Sequence, residues 1–120
     1  VSFHTPHTTE THHYFNEDFL NSMENPFYLI NTARGTAVET SALVKGLKQG
    51  KVLGAALDVL EYEPSSFEQL DLSSLPQSFK ELLAFENVVL SPHVAGWTHE
   101  SLIKLAEVLG NKIIGTFGTI

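Results

Sequence analysis

The sequence predicts an α/β domain built on an open parallel sheet with crossover helices. Short apolar runs alternate with amphipathic stretches along the chain, which is the order of elements in such sheets. The runs are continuous, as in strands covered on both faces. With 120 residues, 42% of them hydrophobic, the chain has enough material for one domain with its own core.

Strands and helices are expected in strict alternation. The apolar runs predict strands at 1–3, 27–30, 52–59 and 88–90. Helices are predicted at 17–23, at 41–49, near 79–85 and from Thr98 onward. Asn16 is expected to cap the first helix, Thr40 or Ser41 the second, and Gly50 to end the second. The last helix carries apolar residues on two sides, so we expect it to pack against a partner surface outside this chain.

Composition and charge exclude several function classes. The net charge is −7 with only 7 Lys+Arg, which argues against binding to nucleic acid or to anionic membranes. There is no cysteine and no apolar run of the roughly 18 residues that a spanning helix needs. We therefore expect a cytoplasmic protein. Four histidines fall between His4 and His13, but without regular ligand spacing we predict no metal site.

Polar residues that could bind a ligand or take part in catalysis follow every predicted strand. Ligands bind outside the carboxyl ends of the strands in open parallel sheets. The residues found there are Thr5 with Pro6, Arg34, Asp58 with Glu63, and His93. Gly35 is expected to let the chain turn away after Arg34. An arginine can hold a carboxylate, and a histidine paired with a carboxylate can exchange a proton. This set suits reduction of a 2-oxo acid by hydride from a nicotinamide cofactor.

Three sequence blocks resemble one enzyme family. "VSFHTP", "LINTARGTAVETSALVKGLKQGKVLGAALDVLEYEP" and "NVVLSPHVAGWT" resemble the D-isomer-specific 2-hydroxyacid dehydrogenases, the family of D-3-phosphoglycerate dehydrogenase. The resemblance runs from Val1 to about Thr98, in the family's order. It implies a partial Rossmann, that is doubly wound, dinucleotide-binding domain. The cofactor it implies is NAD, with NADP not excluded.

The resemblance also implies a role for individual residues. Arg34 would bind the substrate carboxylate and polarise the carbonyl, His93 would be the acid/base, and Glu63 its partner. Glu61 is the alternative partner, although it lacks the following proline. The positions that match cofactor contacts in the family are Thr5, Pro6, Thr32, Ala33, Arg34, Asp58, His93 and Gly96.

No G-x-G-x-x-G motif occurs in the sequence. We therefore expect residues 1–97 to be the C-terminal part of a dinucleotide-binding domain, and 98–120 to be a long helix crossing toward a missing substrate domain. Such a fragment should be inactive alone, and its open first strand favours a homodimer. Because phosphoglycerate dehydrogenase is the commonest name in the family, the resemblance makes 3-phosphoglycerate the first choice of substrate, ahead of glycerate/hydroxypyruvate and D-lactate. The alternative function is a dinucleotide-sensing corepressor or binding scaffold.

Overall fold

Four short strands and four helices alternate along the described residues, as predicted. The computed structural model describes residues 1–62 and 75–118. The strands are β1 (Ser2–Phe3), β2 (Phe27–Asn31), β3 (Val52–Leu57) and β4 (Val88–Leu90). The helices are α1 (Glu17–Ser22), α2 (Thr40–Lys48), α3 (Gln77–Leu82) and α4 (His99–Phe117), and a 3₁₀ turn covers Gly35–Ala37.

All strand pairs are parallel, and the sheet order β1-β2-β3-β4 follows the sequence. The last residues of the strands are in register, because Phe3 pairs with Asn31, Asn31 with Leu57, and Leu57 with Leu90. The four strands therefore end level with one another. The segments that follow them all leave from one edge of the sheet, which confirms the predicted fold class.

The hydrophobic core lies between one face of the sheet and helices α1, α2 and α3. Leu29 from β2 packs in one cluster with Leu20, Leu43 and Leu82 from these helices. All four leucines are at most 1% exposed. Burying such a side chain contributes about 1.5–3 kcal/mol, so this face holds the sheet and helices together.

The opposite face of the sheet is open, which corrects one sequence-based expectation. Residues 27–30 were expected to form a strand covered on both faces. Burial along β2 alternates instead, with Phe27 and Leu29 buried while Tyr28 and Ile30 are 64% and 42% exposed. The helices that join the core cluster pack on the Leu29 face. An apolar run indicates that a strand has hydrophobic side chains on both faces. It does not indicate that other elements of the same chain cover both faces.

Helix α4 begins after Thr98, whose side chain accepts a hydrogen bond from the Ser101 N–H at 3.1 Å. None of its described residues is buried, and the apolar side chains on both sides are exposed. The predicted two-sided helix is therefore present and has no cover from the described chain. Within the described ranges, no helix is long and apolar enough to cross a membrane.

The start of helix α2 differs from the prediction. Asn16 caps α1 as expected, accepting from the Phe19 N–H at 2.9 Å. Neither Thr40 nor Ser41 caps α2, because the helix already begins at Thr40 and the cap position is Glu39. The Thr40 N–H donates instead to Glu61, at 2.8 Å. The Glu61 carboxylate, 21 residues away in sequence, thus accepts the capping hydrogen bond that was expected to go to a local hydroxyl.

Gly35 is required for close backbone approach. A Cβ at this position would lie 1.8 Å from the Leu60 carbonyl oxygen and 2.1 Å from its carbon. A 3₁₀ turn begins at Gly35, which is not among the positive-φ glycines of the described chain, Gly50 and Gly118. The missing side chain of Gly35 lets the segment after β2 touch the segment after β3.

We predict that Gly35→Ala destabilises the fold by about 1–3 kcal/mol, because the added methyl meets rigid backbone. Urea unfolding followed by circular dichroism measures this change. Gly110→Ala is the matched control, since a Cβ at that helical position meets nothing within 4 Å. Equal midpoints for Gly35→Ala and Gly110→Ala would contradict the predicted close approach.

Candidate active site

The polar residues selected from the sequence leave the sheet at a single edge. The in-register ends of the strands place Thr5, Arg34, Asp58 and His93 within a few residues of that edge. Direct hydrogen bonds then connect three of the strand ends. The Asp58 N–H donates to the Asn31 carbonyl at 2.9 Å, and the His93 N–H donates to the Asp58 carbonyl at 2.9 Å.

Asn31 fixes the backbone of the turn that carries Arg34. It is fully buried at the end of β2. Its side-chain oxygen accepts from the Ala33 N–H at 3.1 Å, and its amide nitrogen donates to the Arg34 carbonyl at 2.9 Å. Asparagine often shapes turns in this way. The sequence analysis assigned Asn31 no role, although an asparagine ending a buried strand was the available signal.

The Arg34 side chain is exposed at this edge. Its Nη1 donates to the neighbouring Ala33 carbonyl at 2.7 Å. The ion pairs between described residues are His13–Glu61, Lys45–Glu17 and Lys48–Glu81, and Arg34 is in none of them. A guanidinium with no carboxylate partner in that part of the chain suits a site for an anionic ligand.

Asp58 organises the turn after β4. Its carboxylate is buried and accepts from the Ser91 hydroxyl at 2.6 Å, the Val94 N–H at 2.9 Å and the Ala95 N–H at 3.0 Å. Two backbone donors and one hydroxyl therefore converge on one side chain. From the sequence, Asp58 was expected to contact the cofactor, or else only to accept hydrogen bonds from the backbone near the strand end. The structure shows these backbone hydrogen bonds. Contact with the cofactor stays a prediction.

The charge of Asp58 is stabilised by these donors. Burial by itself raises the pKa of the carboxyl group, but the hydrogen bonds from Ser91, Ala95 and Val94, with the nearby His93, outweigh it and lower the pKa overall. Asp58 is therefore an anion at neutral pH. Its charge-assisted bonds hold the turn around His93 in place.

His93 has a left-handed backbone conformation, with φ at 56°. A non-glycine residue pays about 1–2 kcal/mol for such a conformation. Its N–H bonds to Asp58 and Ser91 carbonyls hold the backbone there. The side chain is exposed at the sheet edge. Strained backbone at a polar edge is characteristic of functional positions.

The remaining predicted cofactor positions surround this edge. The Thr5 hydroxyl oxygen is buried and has no hydrogen-bond partner among the described residues. Ala33 is buried, whereas Pro6, Thr32 and Gly96 are exposed, and open space surrounds the position of a Gly96 Cβ. An orphaned hydroxyl and uncrowded backbone fit a dinucleotide lying along the strand ends. Direct contact with the cofactor stays a prediction at each position.

Glu63 and Glu61 are the two candidate carboxylate partners of His93, and the structure describes only Glu61. Glu63 lies outside the described residues, so its pairing with His93 stays a prediction. Glu61 is committed elsewhere, with one oxygen 2.7 Å from His13 Nε2 and the other accepting from Thr40. Its engagement favours Glu63 as the partner of His93.

The histidine-rich loop has ordinary contacts. His4 Nε2 lies 2.8 Å from the Ser2 hydroxyl, and the His12 and His13 rings lie 4.1 Å apart. In residues 1–62 and 75–118, no group of three or more His, Asp or Glu side chains is arranged to hold a metal ion.

We predict that Asp58→Asn lowers the free energy of unfolding by about 1–3 kcal/mol at neutral pH, because an amide cannot accept from all the donors that converge there. Because the pKa of Asp58 is lower in the folded state, its stabilisation is present above about pH 3.9 and is lost as pH falls through the folded pKa. The difference between wild type and variant, measured by urea unfolding, should shrink in acid.

Glu86→Gln is the control for this prediction, because Glu86 is exposed and makes no bond in the described chain. Its free energy of unfolding should stay within about 0.5 kcal/mol of wild type. A pH-independent difference for Asp58→Asn would contradict the assigned role of the charge.

Comparison with known proteins shows the family of this chain. Residues 1–95 match the family model described as D-isomer specific 2-hydroxyacid dehydrogenase, NAD binding domain. The chain is 47% identical over 114 residues to glyoxylate reductase of Thermofilum pendens, covering 95% of this chain and 30% of that protein.

Solved structures show the same relationship. An NAD-complexed D-isomer specific 2-hydroxyacid dehydrogenase from Lactobacillus delbrueckii ssp. bulgaricus has a TM-score of 0.73 and 37% identity, over 99% of this chain and 37% of that one. D-lactate dehydrogenase with NAD⁺ from Lactobacillus jensenii has a TM-score of 0.74 and 34% identity, over 94% and 34%. The chain thus spans about a third of the length of these relatives. The family-model match and the fold agree, so this chain belongs to the D-isomer-specific 2-hydroxyacid dehydrogenase family of NAD-dependent oxidoreductases, with residues 1–95 matching its NAD-binding domain.

Proposed function

We propose that the full-length protein carrying this chain is an NAD-dependent dehydrogenase that interconverts a D-2-hydroxy acid and its 2-oxo acid. The observation that carries the proposal is the joining of the Arg34 and His93 turns. Asn31 holds the Arg34 turn, Asp58 holds the His93 turn, and the Asp58 N–H bonds to the Asn31 carbonyl. A cation after β2 and a proton donor after β4 are thereby presented on either side of the end of β3.

The chemistry follows from these two side chains. The Arg34 guanidinium holds the substrate carboxylate with paired hydrogen bonds and polarises the adjacent carbonyl. In reduction, the imidazolium of His93 gives its proton to the carbonyl oxygen, and the neutral imidazole takes it back in oxidation. When bound, NADH supplies the hydride that completes reduction at the carbonyl carbon. Glu63 is proposed to stabilise the protonated His93.

Residues around the edge are proposed to hold the cofactor. Thr5 offers a hydroxyl without a described partner, and Gly96 leaves its backbone uncrowded. Pro6, Thr32 and Ala33 complete the proposed surface. Since its carboxylate is already engaged by three donors, Asp58 is proposed to act near the nicotinamide end chiefly through the turn that it holds. NADP remains an alternative to NAD as the cofactor of the full-length protein.

We propose a small, unphosphorylated 2-oxo acid of the glyoxylate type as substrate. Its support is the 47% identity to an enzyme named glyoxylate reductase. The expectation of 3-phosphoglycerate gains no support from the relatives described above. Turnover of glyoxylate, hydroxypyruvate, pyruvate and 3-phosphohydroxypyruvate by the full-length protein would rank these substrates. Cofactor binding without turnover of any of them would favour the dinucleotide-sensing alternative.

The proposed architecture treats this chain as one part of a longer enzyme. Its support is that the chain spans 30% of the Thermofilum pendens relative. Residues 1–97 would be the C-terminal part of the dinucleotide-binding domain, and 98–120 a helix crossing toward a substrate domain. The exposed apolar residues of α4 suit such a contact. A homodimer and a cytoplasmic location stay predictions.

We predict that His93→Gln lowers kcat of the full-length enzyme about 10²–10⁴-fold, because the proton donor is lost while substrate binding remains. Arg34→Gln should mainly raise KM for the 2-oxo acid and lower kcat/KM, because the carboxylate clamp is removed. Steady-state NADH oxidation measures both effects. His99→Gln, at the start of α4, is the control and should keep wild-type turnover. Near-normal kcat in His93→Gln would overturn the proposed acid/base.

We predict that the isolated 120-residue chain does not oxidise NADH with any of these 2-oxo acids, because it spans only 30% of the length of the Thermofilum pendens relative. The measurement compares the isolated chain with the full-length protein at equal molar concentration. Turnover by the isolated chain at a comparable rate would show that these residues suffice.

A further inference from the structure

The 3₁₀ turn Gly35–Ala37 directly follows Arg34 and is bonded to the histidine-rich loop, residues 4–13. The His13 N–H at the end of this loop donates to the Thr36 carbonyl at 2.7 Å. The turn also bonds back to the residue before it, because the N–H of its last residue donates to the Arg34 carbonyl at 3.1 Å. His13 and the backbone of Arg34 are therefore connected through the three residues of one tight turn.

The other side of the same turn lies against the segment that follows β3. A Cβ at Gly35 would be 1.8 Å from the Leu60 carbonyl oxygen, so the two backbones are in direct contact there. Glu61 is the next residue of that segment. The turn after Arg34 thus lies between the histidine-rich loop and the first residues beyond β3.

The side chains of His13 and Glu61 join the two segments that enclose the turn. His13 Nε2 lies 2.7 Å from Glu61 Oε1, and the other Glu61 oxygen accepts from the Thr40 N–H at 2.8 Å. The Glu61 side chain is only 11% exposed, so the contact is largely shielded from water. The His13–Glu61 bond therefore closes a ring of contacts around the turn that carries Arg34.

Glu61 is the acceptor in this pair. Burial raises its pKa, but hydrogen bonds from the Thr40 side chain and backbone, from His13 and from Tyr62 outweigh burial, so that the pKa is lowered overall. An ionised carboxylate can only accept, so the hydrogen of the bond is on His13 Nε2. A bond to a charged acceptor is about twice as strong as one between neutral groups, which makes this contact an effective tie between the segments.

The part of the histidine-rich loop nearest the proposed cofactor surface is held by bonds of its own. The Thr11 hydroxyl donates to the Pro6 carbonyl at 2.7 Å, and the Thr8 N–H donates to the Thr11 hydroxyl oxygen at 2.9 Å. The imidazole of His13 takes no part in these bonds. Loss of that imidazole should therefore disturb the turn after Arg34 more than the backbone at Pro6.

We propose that His13 is a positioning residue for the Arg34 guanidinium, acting through its bond to Glu61 and through the turn that the two residues enclose. This rests on the proposed function, in which Arg34 holds the substrate carboxylate. In this role His13 touches neither substrate nor cofactor. It fixes the backbone from which the Arg34 side chain leaves, and paired hydrogen bonds to a carboxylate depend on the orientation of the guanidinium. Loss of His13 should weaken substrate binding more than proton transfer.

The test compares His13→Ala with His13→Gln in the full-length enzyme. Both variants keep a Cβ on the left-handed backbone, with φ at 49°, so they share its strain and differ in the side-chain donor. We expect His13→Ala to raise KM about 10-fold for the 2-oxo acid that the wild type reduces fastest, because small misplacements of binding groups have large effects. We expect kcat and the dissociation constant of NADH to stay within about threefold. His13→Gln, whose amide N–H can reach Glu61, should recover most of the lost affinity.

A double-mutant cycle tests whether His13 acts through Arg34. In the Arg34→Gln background the carboxylate clamp is already lost, so adding His13→Ala should change kcat/KM by less than about twofold. A merely structural role predicts the same loss of kcat/KM in both backgrounds, and that result would overturn the proposal. An unchanged KM in folded His13→Ala would also overturn it. If His13→Ala does not fold, Glu61→Gln takes its place in the cycle, because an amide cannot accept with both ends.

Glu81→Gln is the matched control, because it removes the surface Lys48–Glu81 pair and leaves the strand ends intact. Its KM and kcat should equal those of the wild type. An inactive wild type would overturn both the proposed function and the role of His13. An active wild type that is impaired by Arg34→Gln, with an additive effect of His13→Ala, would overturn only the role of His13.

Discussion

The carboxylate of Asp58 is the interaction on which the arrangement of the strand ends depends. It sits where β3 stops and gathers the Ser91 hydroxyl with the Val94 and Ala95 N–H groups from the turn after β4. The backbone of the same residue bonds to Asn31 on one side and His93 on the other. A parallel sheet aligns strand ends, but it leaves the loops beyond them free to diverge. Asp58 removes that freedom for β4, as Asn31 does for β2.

A buried polar group costs free energy unless it is hydrogen-bonded, and the side chains of Asn31 and Asp58 both have hydrogen-bond partners. Asn31 uses both ends of its amide on the Arg34 turn, and Asp58 uses both oxygens on the His93 turn. The exposed side chains of Arg34 and His93 are thus carried by turns that buried, hydrogen-bonded side chains hold in place. In the proposed site, this arrangement lets the side chains of Arg34 and His93 face a ligand while their backbones stay fixed.

The alternation of strands and helices along the chain could be predicted from the sequence, and so could the polar residues that follow the strands, because each depends on local patterns. Hydrophobic runs located the strands, and Asn16 and Thr98 marked helix starts that the structure confirms. Contacts between residues far apart in the sequence could not be predicted from local patterns. The cap of α2 comes from Glu61, and Gly35 is needed because of Leu60. The open face at Tyr28 was also missed, since an apolar run does not reveal which neighbours are present.

The most direct test is a crystal structure of the full-length protein with NADH and oxamate, an unreactive isostere of a 2-oxo acid. We expect the oxamate carboxylate to bind the Arg34 guanidinium, with the oxamate carbonyl oxygen within hydrogen-bond distance of the His93 imidazole. The Asp58 bonds to Val94 and Ala95 should be unchanged. Oxamate bound away from Arg34, or a His93 side chain directed away from the oxamate carbonyl, would show that these strand ends do not form the reaction site.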